Sequence, residues 1–290
     1  MKLWQEYLRP TSIAEALRLL NSQPGPRCII AGGTDLMLDI QQGRHEKVHS
    51  LVDITNIPEL NQLEIQQKEL FIGSAVTLNK IADSPLVKWN AQALTESCSL
   101  IGGPQVRNVA TLGGNVAHAL PAADGTIAMM CLDTQTLVVS KNGFQRIPLH
   151  ELFLGVGKTA LKINQELIAG FFIPLRTRHQ ASAFKRIMNM QGIALPIINL
   201  AVWLEREGDL VRDIRISTGP AGGTPRRIID IENLLRGGKI DNCIYSEAFS
   251  VLEAQIPYRT SPQRATAEYR HQLIKTLLVD TLSVAWNRAS

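Results

Sequence analysis

At 290 residues, the chain is long enough for one large domain or two to three small ones, and it can bury its own core without disulfides or a structural metal. Hydrophobic residues make up 45% and charged residues 19%, which excludes disorder, collagen and coiled coil as global descriptions. The net charge of +4 comes from 30 basic and 26 acidic residues that alternate along the chain, without the basic stripe a nucleic-acid binder uses.

Ser12 followed three residues later by Glu15 is a capping box, and Ile13, Ala16, Leu17 and Leu20 make one apolar face, so a helix is expected there, ended by Pro24, Gly25 and Pro26. Cys28 to Ile30 predicts a short strand entering the tight turn Gly32-Gly33, then a helix from Asp35 to Gln41 and a strand within Val48 to Ile54. Leu70 to Gly73 predicts a strand, Leu78 to Ala82 a short helix and Ala91 to Leu100 a longer one. A second glycine-rich segment runs from Gly102 to Gly114. Asp124 can cap a helix reaching Leu132, and Thr136 to Ser140 and Phe144 to Ile147 flank the hairpin signal Asn142-Gly143. Leu167 to Ile173 is a strand stopped by Pro174, and Arg176 to Gln180 a charged linker. Beyond it, Ala183 to Met188, Leu195 to Leu204 and Leu210 to Ser217 predict an antiparallel meander turning at Gly208-Asp209, with helices near Ile228, near Ala248 and from Pro262. Strands and helices mix without strict βαβ alternation, which favours α+β over a doubly wound sheet.

The longest apolar stretch, Gly192 to Leu204, carries Pro196 and Asn199 and is shorter than the roughly 20 residues a membrane crossing needs. Lys2, Glu6 and Arg9 interrupt the first ten residues, unlike a secretion signal, so no membrane insertion and a cytoplasmic location are expected. Cys28, Cys98, Cys131 and Cys243 form no Cys-x-x-Cys pair; they read as reduced thiols, mostly buried, with no ligand set for zinc or an iron–sulfur cluster. His45-Glu46-Lys47-Val48-His49 matches the zinc-protease pattern, which works only on a helix; Gly43 before it and the strand-like run overlapping it argue for a solvated loop. Gly155-Val156-Gly157-Lys158-Thr159 resembles the end of a P-loop, but Leu152 stands where its first glycine belongs, and the preceding residues look helical. No Gly-x-Gly-x-x-Gly follows a strand, and no serine elbow or nucleophile–base constellation argues for acyl transfer.

Two segments remain: Ile29-Ile30-Ala31-Gly32-Gly33-Thr34-Asp35 and Asn108-Val109-Ala110-Thr111-Leu112-Gly113-Gly114-Asn115. Each places a glycine pair beside a β-rich run, where N–H groups can converge on an anion because no Cβ blocks its approach. One such pair alone is usually an ordinary turn; two, each followed by polar residues, suggest a dinucleotide diphosphate.

With Gln105-Val106-Arg107-Asn108, Pro121-Ala122-Ala123-Asp124, Gly157-Lys158-Thr159 before Glu166-Leu167-Ile168, and a tail from Tyr269-Arg270 to Leu278, these segments resemble the FAD-binding medium subunit of the molybdenum hydroxylases, the xanthine and carbon monoxide dehydrogenase type, over nearly the whole chain. The resemblance implies an α+β, PCMH-like FAD-binding fold of two subdomains, 1–57 and 58–177, followed by an α+β flavoprotein C-terminal domain, 180–290. It implies a diphosphate enclosed by backbone from Ile29, Ile30 and Ala31 through Gly32, Gly33, Thr34 and Asp35, and from Thr111 through Gly113 and Gly114 to Asn115, with Cys28 also among the cofactor-binding residues. Ile101 and Gly102 would lie near the flavin, Ala117 and Ala123 against the cofactor, and Asp124 would accept from ribose or adenine. Lys158 would favour negative charge on the reduced flavin, or is a surface lysine. The family also implies a 2Fe-2S small subunit and a molybdopterin-bearing large subunit as partners, electrons passing from the clusters through FAD to an acceptor such as NAD, and a purine such as xanthine as substrate. Rival readings are a stand-alone FAD-dependent oxidoreductase and a non-catalytic nucleotide-binding assembly module. The chain departs from the family at Asn189 and Ile193, where members carry arginine and then an acidic residue, and at the bulky Leu120 before Pro121; acceptor- and partner-facing details are not carried over at Asn189 and Ile193.

Overall fold

A computed structural model describes residues 3–22, 25–189, 195–262 and 264–290; Lys2, Pro24, Gly192 and Ile193, singled out above, lie outside the described residues. The N-terminal part holds β1 (Glu6–Leu8), α1 (Ile13–Asn21), β2 (Arg27–Ile30), α2 (Leu36–Gln41) and β3 (Ser50–Asp53). α1 forms where the capping box puts it. The Ser12 hydroxyl accepts from the Glu15 N–H at 3.2 Å, and the Glu15 carboxylate accepts from the Thr11 N–H at 2.8 Å, one residue before the usual reciprocal partner. Its buried Ala16, Leu17 and Leu20 pack with Val52, Ile54 and Leu60 and with Leu167 and Ala169 further along the chain. The strands are parallel in the order β1-β3-β2. Sequence pattern does not reveal β1, since three residues are too few to carry a period.

The middle of the chain holds β4 (Leu63–Gln66), β5 (Glu69–Gly73), α3 (Leu78–Ala82), α4 (Pro85–Asn90), α5 (Gln92–Leu100), α6 (Pro104–Arg107), α7 (Leu112–Ala117), α8 (Asp124–Cys131), β6 (Gln135–Ser140), β7 (Gly143–Pro148), β8 (Phe153–Gly155), β9 (Lys158–Thr159) and β10 (Glu166–Pro174). Five of these strands form an antiparallel sheet, β4-β5-β10-β6-β7. β10 is central and covered on both faces, which is why its sequence is continuously apolar instead of alternating. The hairpin forms with Lys141 and Asn142 as its loop, Ser140 pairing with Gly143. The helical character expected before Gly155 amounts to a single 3-10 turn, Leu149–Leu152, leading into β8. Segment 45–49 is not helical; His45 Nδ1 lies 2.8 Å from the Glu46 carbonyl and His49 Nδ1 2.8 Å from the Ser50 hydroxyl, so the zinc-protease geometry is not built.

The C-terminal part holds β11 (Gln180–Met188), β12 (Pro196–Glu207), β13 (Leu210–Gly219), β14 (Arg226–Arg227), α9 (Ile229–Leu235), α10 (Asn242–Gln255) and α11 (Ala267–Arg288). β11, β12 and β13 are the expected meander, Glu207 pairing with Leu210 across Gly208-Asp209. α11 begins later than Pro262 because Thr266 caps it, accepting from the Tyr269 N–H at 3.2 Å. The helices cover one face of this sheet through a core of Leu200, Ile216, Leu252, Leu278 and Leu282. The opposite face presents Phe184, Ala201 and Trp203 to the core around α5 and α8. Polar contacts lock that interface: Ala93 N–H donates to the Ser182 hydroxyl (3.1 Å), Phe184 N–H to Glu96 (2.8 Å) and the Ser217 hydroxyl to the Ile127 carbonyl (2.6 Å). α5 and α8 are thus held between two sheets, and the loops at their ends inherit that rigidity. The architecture is α+β, as expected. Among the described residues, no helix is long and apolar enough to cross a membrane.

Candidate cofactor site

The first glycine pair joins the end of β2 to the start of α2. Gly33 has φ +67°, a left-handed turn that glycine adopts without a Cβ clash. The N–H groups of Gly32, Gly33, Thr34 and Asp35 donate to no protein acceptor among the described residues, and all four residues are part-exposed or exposed. Successive free donors in a tight turn make a concave edge that suits an anion. Cys28 and Ile29 are half-buried and Ile30 packs into a small core with Val48 and Leu51. The Ile30 side chain thus faces inward. Burial pushes the Cys28 thiol up to about 11, well away from reactive thiolate behaviour.

Gly32 connects this turn to the second segment. A Cβ built on Gly32 would lie 2.1 Å from the Val109 carbonyl oxygen and 2.7 Å from Ala110 Cα, so two backbones touch where any side chain would part them. On the far side, Asp35 Oδ1 lies 4.0 Å from His118 Nε2, just beyond α7. The two glycine-rich segments therefore lie against each other.

They are built differently, which corrects the expectation of two equivalent bends. Gly113 and Gly114 lie inside the first turn of α7, capped by Thr111, whose hydroxyl accepts from the Gly114 N–H at 3.1 Å. Leu112 N–H donates to Val76 (3.1 Å), Gly113 N–H to Ser74 (2.9 Å) and Asn115 N–H to Thr111 (3.0 Å). Those amides are engaged, so of the two segments it is the Gly32–Asp35 turn that offers free backbone donors among the described residues. The reason for glycine at 113 is close approach: its Cβ would lie 2.6 Å from Ser74 Cβ. α7 instead offers a side chain. Asn115 Oδ1 accepts from the Thr126 N–H at 3.2 Å, while its Nδ2 has no partner among the described residues.

Ile101 and Gly102 form the turn leaving α5, both half-buried, with Gly102 at φ +54°. Three consecutive carbonyls here are gripped by guanidinium groups: Leu100 by Arg186 Nη2 (2.5 Å), and Ile101 and Gly102 by Arg107 Nη1 (3.3 and 2.8 Å). Neither arginine stands among the candidates read from sequence. Arg107 lies inside the quoted block, while Arg186 belongs to the opposite domain and gives no local signal.

Asp124 also differs from expectation. Ala123, not Asp124, occupies the cap position of α8, and the Asp124 carboxylate is buried, pairing with Arg186 Nη1 and accepting from Asn199 Nδ2 at 2.6 Å. Burial pushes its carboxyl up, while Arg186 and Asn199 pull the other way. It ties the two domains together behind the site, with both oxygens engaged. Ala117 is exposed and Ala123 half-buried along the same rim. Lys158 is exposed on β9, with no ion-pair partner among the described residues, and its hairpin is tethered to the end of α7 by a Gly157 N–H to Ala119 carbonyl bond of 3.0 Å. No group of three or more His, Cys, Asp or Glu side chains is placed to hold a metal among the described residues.

A chain with a free-amide turn against a capped helix, followed by a three-strand meander domain, belongs to a recognisable class. Residues 3–176 match the family described as the FAD binding domain in molybdopterin dehydrogenase, and residues 182–285 match the CO dehydrogenase flavoprotein C-terminal domain. The chain belongs to the FAD-binding medium subunits of the molybdenum hydroxylase family, which are parts of oxidoreductases. It is 29% identical over 280 residues to the putative xanthine dehydrogenase FAD-binding subunit of Escherichia coli K12, covering 96% of this chain and 95% of that one. It is 31% identical over 283 residues to the nicotine 6-hydroxylase medium subunit of Paenarthrobacter nicotinovorans, covering 97% of both. Its fold superposes on a chain of the Hydrogenophaga pseudoflava carbon monoxide dehydrogenase structure that lacks the Mo-pyranopterin moiety, with TM-score 0.93, 26% identity and full coverage of both chains. The residues of this turn fit a dinucleotide: a diphosphate needs converging N–H donors, and the Gly32–Asp35 turn supplies four without a protein acceptor among the described residues.

Proposed function

We propose that this chain holds FAD with its diphosphate on the N–H groups of Gly32, Gly33, Thr34 and Asp35, Asn115 Nδ2 donating from the facing helix. Bound FAD would supply the redox chemistry, accepting electrons singly from 2Fe-2S clusters on a small partner subunit for delivery to an acceptor such as NAD. The chain's own part is to bind and orient: four fixed dipoles stabilise a dianion without a permanent counter-ion, Gly32 lets the Val109–Ala110 backbone close against the turn, and the Leu100–Gly102 turn walls the flavin end. The observation that carries this reading is the coincidence of unpartnered amides with a glycine that has no room for a Cβ.

Substrate hydroxylation then belongs to a molybdopterin-bearing large subunit, in the cytoplasm, with a purine such as xanthine as substrate. Support is the likeness to a xanthine dehydrogenase subunit along both full lengths, although other relatives are named for nicotinate, nicotine and carbon monoxide. The same full-length likeness to proteins named as subunits favours a complex over a stand-alone flavin oxidoreductase. We place the domain boundaries near residues 57 and 178, between the three larger sheets. Lys158 joins this reading through the family pattern and the tether of its hairpin to α7.

The test is flavin content of the purified chain and of Gly33→Leu, with iron, molybdenum and partner subunits assayed in the same preparation. Loss of yellow colour from a still-folded Gly33→Leu supports the cradle; stoichiometric flavin in that variant removes the turn from the site. Turnover of xanthine against nicotinate and carbon monoxide by the intact complex decides the substrate.

A further inference from the structure

Arg107 is the charged group of the second segment that the proposed function leaves unused. Its guanidinium is part-buried, and its acceptors among the described residues are all uncharged: the Ile101 carbonyl (3.3 Å), the Gly102 carbonyl (2.8 Å) and, through Nε, Asn79 Oδ1 (3.0 Å). Asn79 is itself held, its Nδ2 donating to Asn108 Oδ1 at 2.5 Å. No carboxylate pairs with Arg107 among the described residues, whereas the neighbouring Arg186 is neutralised by Asp124. An ion-paired arginine would be a strut; an unpaired one leaves its field on the turn it touches.

Peptide geometry says where that field goes. In a planar trans peptide the N–H points opposite to the C=O. The carbonyls of Ile101 and Gly102 belong to the same peptide units as the N–H groups of Gly102 and Gly103. Holding both carbonyls on the Arg107 side turns both N–H groups to the other side, and these two N–H groups donate to no protein acceptor among the described residues. A donor whose own carbonyl accepts from a cation is polarised and becomes a stronger donor. The turn also lies in continuity with the diphosphate cradle: Gly102 packs under Val106, three residues before Val109, the residue that touches Gly32.

We propose that Arg107 is a positioning residue that orients and strengthens the Gly102 and Gly103 N–H donors toward an electron-rich edge of the flavin ring. It thereby stabilises the reduced, more negative cofactor relative to the oxidised one. This rests on the FAD reading above and assigns to Arg107 the potential-setting part that family likeness gives to Lys158.

The experiment compares the full chain, purified with whatever subunits accompany it, as wild type, Arg107→Ala, Arg107→Lys and Asn79→Ala. FAD dissociation constant, flavin midpoint potential and thermal midpoint are measured for each. Arg107→Ala is expected to keep flavin with a dissociation constant raised about tenfold, the equivalent of one charge-assisted hydrogen bond, and a lowered midpoint potential. Arg107→Lys recovers part of the potential, and Asn79→Ala, which removes one guanidinium acceptor along with the Asn79–Asn108 bond, lowers it less than Arg107→Ala. Should Arg107→Ala fail to fold, Asn79→Ala and Arg107→Lys carry the same comparison. A wild-type potential in the folded variants overturns the inference while leaving the FAD reading intact; a folded wild-type chain that takes up no FAD overturns both.

Discussion

The Gly32-Gly33 turn and the Gly113-Gly114 pair look alike in sequence and sit against each other in the fold, yet they hold their backbone amides in opposite ways. Four N–H groups of the first have no protein acceptor among the described residues, while those of the second go to Val76, Ser74 and Thr111. The first is the donor surface of the proposed site, and the backbone of the second is scaffold beside it. The contrast teaches that a glycine pair marks close approach in general; only the fate of its amides says whether the thing approached is a ligand or another part of the chain.

Changes to the scaffold should cost stability first, and changes to the turn should cost ligand. The largest effect is expected from Asp124→Ala, which leaves Arg186 buried without its carboxylate and should destabilise the chain by about 3–5 kcal/mol in urea unfolding. An unchanged unfolding midpoint would show that the ion pair behind the second segment is not part of the scaffold. Gly32→Leu forces the two segments apart and should lose about 1–3 kcal/mol together with flavin; stability lost with flavin affinity intact would break the assignment of this contact to the site. Thr111→Ala removes the α7 cap and should cost about 1 kcal/mol with flavin retained, because that cap serves the helix and not the ligand. If flavin leaves first, the second segment is a ligand surface after all.

The smallest effect at neutral pH concerns the thiols beneath the second segment. Burial pushes Cys98 in α5 and Cys131 in α8 up to about 12, whereas Cys243 is exposed. Alkylation of the native chain at pH 8 should label Cys243 and leave those two until denaturant is added. Because unfolding frees them to ionise near the ordinary thiol value of about 8.5, the stability they lend is complete below that pH and falls as pH rises toward 12. Rapid native labelling of Cys131 would show that α8 opens far more easily than its packing implies.

The turn at Gly32-Gly33, the capping box of α1, the Asn142-Gly143 hairpin and the β11–β13 meander were legible because each is a local pattern, settled by neighbours within a few residues. β1, β4 and α4 were not, being too short to show a period. Segment 111–115 misled because Thr-Leu-Gly-Gly-Asn is compatible with a glycine bend and with a capped helix start, and Ser74, nearly forty residues earlier, selects the helix. Asp124 misled in the same way: its acidity suggested a free acceptor, and its partners Arg186 and Asn199 come from the other domain.

What the sequence alone determined is the inventory: α+β elements, two glycine-rich segments, and motifs enough to place the chain among FAD-binding subunits of molybdenum hydroxylases. What only the tertiary structure decided is which polar groups remain available, namely the free amides of 32–35 and 102–103, the engaged ones of 112–115, and the separate fates of Arg107 and Arg186. The reason is physical: a periodic pattern reports local backbone preference, but the satisfaction of a donor or a charge depends on distant residues that only folding brings within hydrogen-bonding range.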